Sequence, residues 1–255
     1  MAKDRTAYVC SNCGQESAKW IGKCPSCGQW NTFKEIRIAA STPSTIASSK
    51  GYHDAPGGRG GKAKPVKLRD IPVDDEPRID MHDDELNRVL GGGLVPGSIV
   101  LLGGEPGIGK STLTLQTILN MPERRILYVS GEESAHQLKM RAHRIGRQLP
   151  STAGTDHDNV TILCETSLND IFENIKEVGP ELVVIDSIQT IATDAVESSP
   201  GSITQVRECA AALLHFAKST GIPVILIGHI NKEGTLAGPK ILEHIVDTVI
   251  QFEGD

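Results

Sequence analysis

The run Gly104-Glu105-Pro106-Gly107-Ile108-Gly109-Lys110-Ser111 sets two glycines, a lysine and a hydroxyl at the spacing Gly-x4-Gly-Lys-Ser. Backbone N–H groups can ring a triphosphate only where glycines let the main chain wrap closely around it. In that arrangement Lys110 reaches the β- and γ-phosphates, Ser111 ligates Mg²⁺ and Thr112 helps on the phosphate side. The apolar run 99–102 before it and the spacing of Leu113, Leu115, Ile118 and Leu119 after it give the strand-turn-helix context that this chemistry needs. The reading is of an ATP-binding P-loop, residues 104–112.

Two further stretches offer carboxylates. Leu182-Val-Val-Ile185-Asp186-Ser187 is an apolar strand that delivers Asp186 at its C-terminal edge, the edge at which a P-loop opens, so Asp186 is expected on the Mg²⁺ side. Tyr128-Val-Ser-Gly131-Glu132-Glu133-Ser134 ends another strand in two adjacent acids. A general base there would orient the water that attacks the γ-phosphate; Glu132 is the choice and Glu133 the alternative, because Glu133 and Ser134 also suit a helix N-terminus. His229 or Asn231, after the apolar run 224–227, is placed to sense the γ-phosphate, and Lys232 follows on the same loop.

Cys10-Ser-Asn-Cys13-Gly14 and Cys24-Pro-Ser-Cys27-Gly28 repeat one pattern with ten residues between the pairs. Four thiolates at this spacing suit one tetrahedral Zn²⁺, whereas a redox dithiol needs only one pair. Trp20, Trp30, Ile21 and Phe33 supply the apolar groups for the core of such a module, few enough that metal must contribute much of its folding free energy. Cys164 and Cys209 lie in apolar segments and read as core residues.

The elements that must position these groups follow an alternating rhythm. A short helix over 85–90 ends at Gly91-Gly92-Gly93. After the P-loop helix come a strand over 125–130, a helix over 134–147 with Leu138, Met140, Ala142 and Ile145 inside, and a strand over 160–164. A helix over 168–178, a strand over 182–185, a helix over 203–218 and strands over 224–227 and 248–252 complete the series. All-apolar strands joined by helices predict a mostly parallel sheet with helices on both faces. The segments 190–202 and 230–239 read as loops on the same edge as the P-loop, where DNA contact or force would be delivered.

With 255 residues and 38% apolar content, the chain can hold one α/β core and a small satellite. The boundaries predicted are a four-cysteine module over 1–38, a Ser/Gly/Pro-rich flexible linker over 39–69 and the α/β domain over 70–255. The linker's end is charge-segregated: Lys50, Arg59, Lys62, Lys64, Lys67 and Arg69 face only Asp54, and residues 70–85 then carry eight acids against Arg78. This reads as a solvated tether, with a phosphate-contacting arm next to an acidic docking segment as the alternative. The net charge of -6 excludes nucleic-acid binding by the whole surface, so any such contact is local. The lack of an 18-residue apolar run and of a leader pattern predicts a soluble cytoplasmic protein without membrane contact.

Taken together, the four-cysteine module, Glu-Leu-Asn-Arg-Val-Leu-Gly-Gly-Gly-Leu-Val-Pro-Gly-Ser, Gly-Glu-Pro-Gly-Ile-Gly-Lys-Ser-Thr, Tyr-Val-Ser-Gly-Glu-Glu-Ser and Gly-His-Ile-Asn-Lys-Glu-Gly-Thr-Leu-Ala-Gly-Pro-Lys resemble the bacterial RadA (Sms) family. The resemblance implies a RecA-like ATPase core behind a zinc finger, with ATP, Mg²⁺ and Zn²⁺ as cofactors. It further implies a hexameric homo-oligomer on single-stranded and branched DNA that acts with the RecA recombinase in branch migration. In that family a Lys-Asn-Arg-Phe-Gly motif and a Lon-protease-like domain follow the point reached here at Asp255, and ring assembly and full turnover are expected to draw on them. The competing reading is a KaiC-like nucleotide-gated switch whose finger docks a protein.

Overall fold

The computed structural model describes residues 5–10, 16–17, 19–25, 28–38, 67–70, 78–146, 157–229 and 242–253. The linker expected over 39–69 lies outside these residues up to 66, and Leu68–Asp70 form one 3₁₀ turn. Near the N-terminus, β1 (Arg5–Cys10) pairs antiparallel with both β2 (Glu16–Ser17) and β3 (Phe33–Ile38), in the order β2-β1-β3. Its buried core is Cys10, Cys24 and Phe33, with Tyr8 and Ile21 packed against them. The expectation that both tryptophans fill that core is corrected: Trp20 is 54% and Trp30 67% exposed. Two thiols and one phenyl ring already fill so small an interior, which leaves no volume for two indoles.

In the larger unit Asp83 caps α1 (Asp84–Val89) by accepting from the Leu86 N–H, as a short polar side chain with extended backbone does at a helix start. The strands that follow are β4 (Ile99–Gly104), β5 (Ile126–Ser130), β6 (Val160–Cys164), β7 (Leu182–Asp186), β8 (Val224–His229) and β9 (Thr248–Phe252). All pair in parallel, in the order β6-β5-β7-β8-β4-β9. Between them run α2 (Lys110–Leu119), α3 (Ala135–Gly146), α4 (Leu168–Val178) and α5 (Ile203–Thr220).

The continuous apolar strands are explained by two cores rather than one. Val183, Ile185, Val224 and Leu226 point to the face covered by α4 and α5, where they meet Ile171, Phe172, Val206 and Leu213. Their neighbours Leu182, Val184, Ile225 and Ile227 point to the other face and meet Leu115, Ile118 and Leu138 of α2 and α3. A strand covered on both sides has no position left for a polar residue, and each aliphatic side chain buried there stabilises the fold by about 1.5–3 kcal/mol. The edge strands β6 and β9 are only partly covered, and their burial alternates or weakens accordingly.

Two expectations fail at this level. Cys164, at the end of edge strand β6, is exposed, whereas Cys209 of α5 is fully buried, so only the latter is a core residue. Burial also pushes the Cys209 thiol up to about 12. Met140 is 60% exposed; it stands two residues from Leu138, about 200° around the helix from the face that Leu138 and Ile145 bury. The segment 190–202 is a loop, as expected, and it is pinned from α5: Gln205, 3% exposed, accepts from Thr193 N–H and donates through Nε2 to the Thr193, Val196 and Ser198 carbonyls.

Candidate functional site

Parallel register brings the chemical residues to one edge. Gly104, the last residue of β4, stands beside His229, the last of β8, and Asp186, the last of β7, stands between Ser130 of β5 and Ile227 of β8. Asp186 and His229 thus belong to strands and not to the loops after them, because β7 and β8 run one and two residues further than their apolar runs. The helix α2 begins at Lys110, and its N-cap Gly109 has φ 110°, a left-handed conformation that a side chain would strain. Gly107 (φ 79°) is likewise left-handed, and the space around the position its Cβ would take is open. A loop of that shape directs its backbone N–H groups and the positive end of α2 at one point.

Lys110 is the first residue of α2, directly after that loop. Only 3% exposed, its Nζ donates to the Gly104 and Glu105 carbonyls, both at 2.8 Å, and lies 3.3 Å from His229 Nδ1. Three acceptors meet three N–H donors, and phosphate oxygens suit the same role. Burial holds the Lys110 ammonium below the ordinary lysine range, against the opposing pull of the Asp186 and Glu132 carboxylates. With Nδ1 accepting from Lys110, the His229 proton sits on Nε2 and is donated to Glu132 Oε1 at 3.1 Å.

Glu132 Oε1 also accepts from Ser187 Oγ at 2.6 Å. Burial pushes the Glu132 carboxyl up, but the hydrogen bonds from Ser187 and His229 and the positive charge nearby outweigh it, so its pKa lies below the ordinary glutamate range. Glu133 faces elsewhere: its carboxylate accepts from Arg141 of α3 at 2.7 Å, and its N–H donates to Ser130 Oγ. The helix-start role falls to Ser134, whose Oγ accepts from Gln137 N–H while Gln137 Oε1 accepts from Ser134 N–H.

Asp186, 4% exposed, accepts a hydrogen bond from the Tyr128 hydroxyl across the β5–β7 pair. Tyr128 is itself fully buried, and burial together with Asp186 raises its hydroxyl pKa far above the ordinary tyrosine range, so it remains a donor. The Asp186–Ser187 peptide is cis. Three residues of this cluster escaped the sequence reading. Ser187 directly follows Asp186 and Tyr128 sits in an apolar strand, so neither carries a local signal. Phe252 ends β9 beside Gly104, and its ring would stand 3.8 Å from a Cβ at Gly109, closing the outer side of the loop.

The residues present fit Mg²⁺ bound with a nucleotide: Ser111 follows Lys110 on the first turn of α2, and Asp186 holds a carboxylate at the same strand edge. For zinc, Cys10 and Cys24 lie together in one buried cluster, and Cys10 Sγ is 3.0 Å from Thr32 Oγ1; Cys13 and Cys27 lie outside the described residues. Asn231 and Lys232, with the rest of 230–239, also lie outside them.

A family model described as an AAA domain matches residues 62–235, and one described as a rubredoxin metal binding domain matches 8–35, a span that includes all four paired cysteines. The chain is 47% identical to the DNA repair protein RadA of Halalkalibacterium halodurans over 261 residues, and 47% identical to that of Escherichia coli over 259. Each alignment takes in 100% of the chain and 53% or 54% of the relative, so the chain spans about half the length of the curated relatives it matches. A solved KaiC-like protein, PH0186 from Pyrococcus horikoshii, has the same fold, with TM-score 0.54 at 22% identity over 69% of this chain and 82% of that one.

Proposed function

We propose, from the premise that this chain belongs to the AAA-domain family and is a RadA-type RecA-like ATPase, that it is a DNA-stimulated ATP hydrolase of recombinational DNA repair. The observation that carries the catalytic half of the reading is the linked set Lys110, His229, Glu132 and Ser187 at the strand edge that also holds Asp186. Lys110 and the N–H groups of 104–112 bind the phosphates, with Ser111 and Asp186 holding Mg²⁺. When bound, the ion neutralises charge that develops between the β- and γ-phosphates. Glu132 is the residue that accepts a proton from the attacking water, since Ser187 and His229 keep it ionised and aimed inward while Glu133 is committed to Arg141. His229 touches both Lys110 and Glu132 and is the γ-phosphate sensor.

The other half of the reading rests on the RadA relatives, described as DNA repair proteins. The whole protein acts on single-stranded and branched DNA with the RecA recombinase, as a hexameric ring, with Lys232 on the DNA side. Cys10, Cys13, Cys24 and Cys27 hold one zinc ion. Steady-state ATP hydrolysis with and without single-stranded DNA tests it. A rise in rate on adding DNA is expected, and hydrolysis indifferent to DNA would replace this reading with a nucleotide-gated switch.

A further inference from the structure

The four-cysteine module exposes the two largest apolar side chains in the protein, and exposes them side by side. Gly22 is the floor between them: a Cβ there would lie 3.7 Å from Trp20 Cη2 and 3.8 Å from Trp30 Cζ3, so the benzo edges of both indoles converge on one spot. The backbone fixes that convergence. Lys23 and Trp30 form an antiparallel bridge, Asn31 N–H donates to Gly22 O at 2.7 Å, and Cys24 N–H donates to Gln29 O at 2.8 Å. Indoles left 54% and 67% exposed on a braced frame leave about half or more of each ring unused by the fold.

Charge decides between occupants. Lys23 Nζ stands 5.6 Å from the centroid of the Trp30 ring, and Lys19 is exposed directly before Trp20. Neither ammonium has a carboxylate partner among the described residues. Over residues 1–38 the bases Lys3, Arg5, Lys19, Lys23, Lys34 and Arg37 outnumber the acids Asp4, Glu16 and Glu35, in a chain whose net charge is -6. Flat π faces interleaved with ammonium groups suit unpaired nucleobases with their phosphates.

We propose that the Trp20–Gly22–Trp30 face of the finger is a stacking platform for single-stranded nucleic acid, with Lys19 and Lys23 taking the adjoining phosphates. It rests on the DNA-binding part of the function above and adds a contact on a different sheet unit from the ATPase edge. Trp20 and Trp30 are the only tryptophans in the sequence, so indole emission reports on this face alone. The full zinc-loaded chain is titrated into labelled oligo(dT), with label anisotropy reporting binding anywhere and indole quenching reporting binding here. Anisotropy and quenching should rise together. Trp30→Leu should weaken binding about tenfold, while Trp30→Phe, which keeps a π face, retains most of it. Binding without quenching, or wild-type affinity in Trp30→Leu, overturns the platform, leaves the DNA reading standing and makes the face a seat for an apolar protein surface. No anisotropy change at all removes the DNA reading and the platform with it.

Discussion

Replacing Glu132 by glutamine separates chemistry from architecture at this site. The amide keeps Oε1 as an acceptor, so the hydrogen bonds from Ser187 Oγ and His229 Nε2 survive and the loop geometry is retained. What is lost is the ability to take a proton, worth about a hundred- to ten-thousandfold in turnover. Glu132→Gln should therefore bind a fluorescent ATP analogue as the wild type does and hydrolyse ATP at least about a hundredfold more slowly. The pH dependence has a definite sign. Glu132 works ionised and its pKa is depressed, so wild-type turnover falls only as pH drops below the ordinary glutamate range. Ser187→Ala removes one of the bonds that depress it while burial remains, so the acidic limb of the rate profile should move to higher pH. Glu133→Gln removes the charge from the tie to Arg141 and should cost about 1 kcal/mol of stability or less with turnover largely intact. Wild-type turnover in Glu132→Gln with a dead Glu133→Gln would refute the assignment.

Lys110→Ala deletes a buried cation with three acceptors and should weaken ATP binding about ten- to a hundredfold, shrinking the shift in melting temperature that a given ATP concentration gives the wild type. Tyr128→Phe keeps the buried ring but leaves Asp186 without that donor; calorimetry should register a loss of about 1–3 kcal/mol. Gln205→Leu strips the segment 193–198 of four hydrogen bonds, and limited proteolysis should then cut there first, with ATP affinity unchanged. A strong chelator, or acid competing for the thiolates, should release one zinc ion per chain, read by a chromogenic zinc assay. Since both indoles are already exposed, their emission maximum should hardly move on release, and a large red shift would contradict their placement here.

What was legible in the sequence is what depends on neighbours along the chain. The helix α4 begins and ends where expected because Ser167 caps its start, with Oγ accepting from Asp170 N–H, and Gly179 (φ 59°) ends it in the left-handed conformation. The P-loop, the apolar strands and the order of elements are local patterns of the same kind. The rest is non-local. Tyr128 meets Asp186 and Ser187 meets Glu132 only because β5 and β7 pair, a choice that no local pattern encodes. The direction in which Glu132 and Glu133 diverge depends on where α3 places Arg141. The tryptophans and Cys164 were misplaced for one reason: apolar character predicts burial only where enough interior exists to receive it, and neither a three-residue core nor an open sheet edge supplies it.

The position of β4 has a consequence for how the protein is made. Its strand partners are β8 and β9, and β8 is not complete until His229. On a ribosome adding about 5–20 residues per second, the P-loop strand waits on the order of ten seconds for the first neighbour that can hydrogen-bond to it. By then β5, β6 and β7 have all been synthesised and can pair with one another. The nascent chain thus builds one half-sheet early and keeps an unpaired, wholly apolar strand beside it until residues 224–229 emerge and join the halves. Phosphate binding is for this reason a late event in the life of each chain, and a chaperone that shields apolar strands would be needed most between the synthesis of β4 and that of β8.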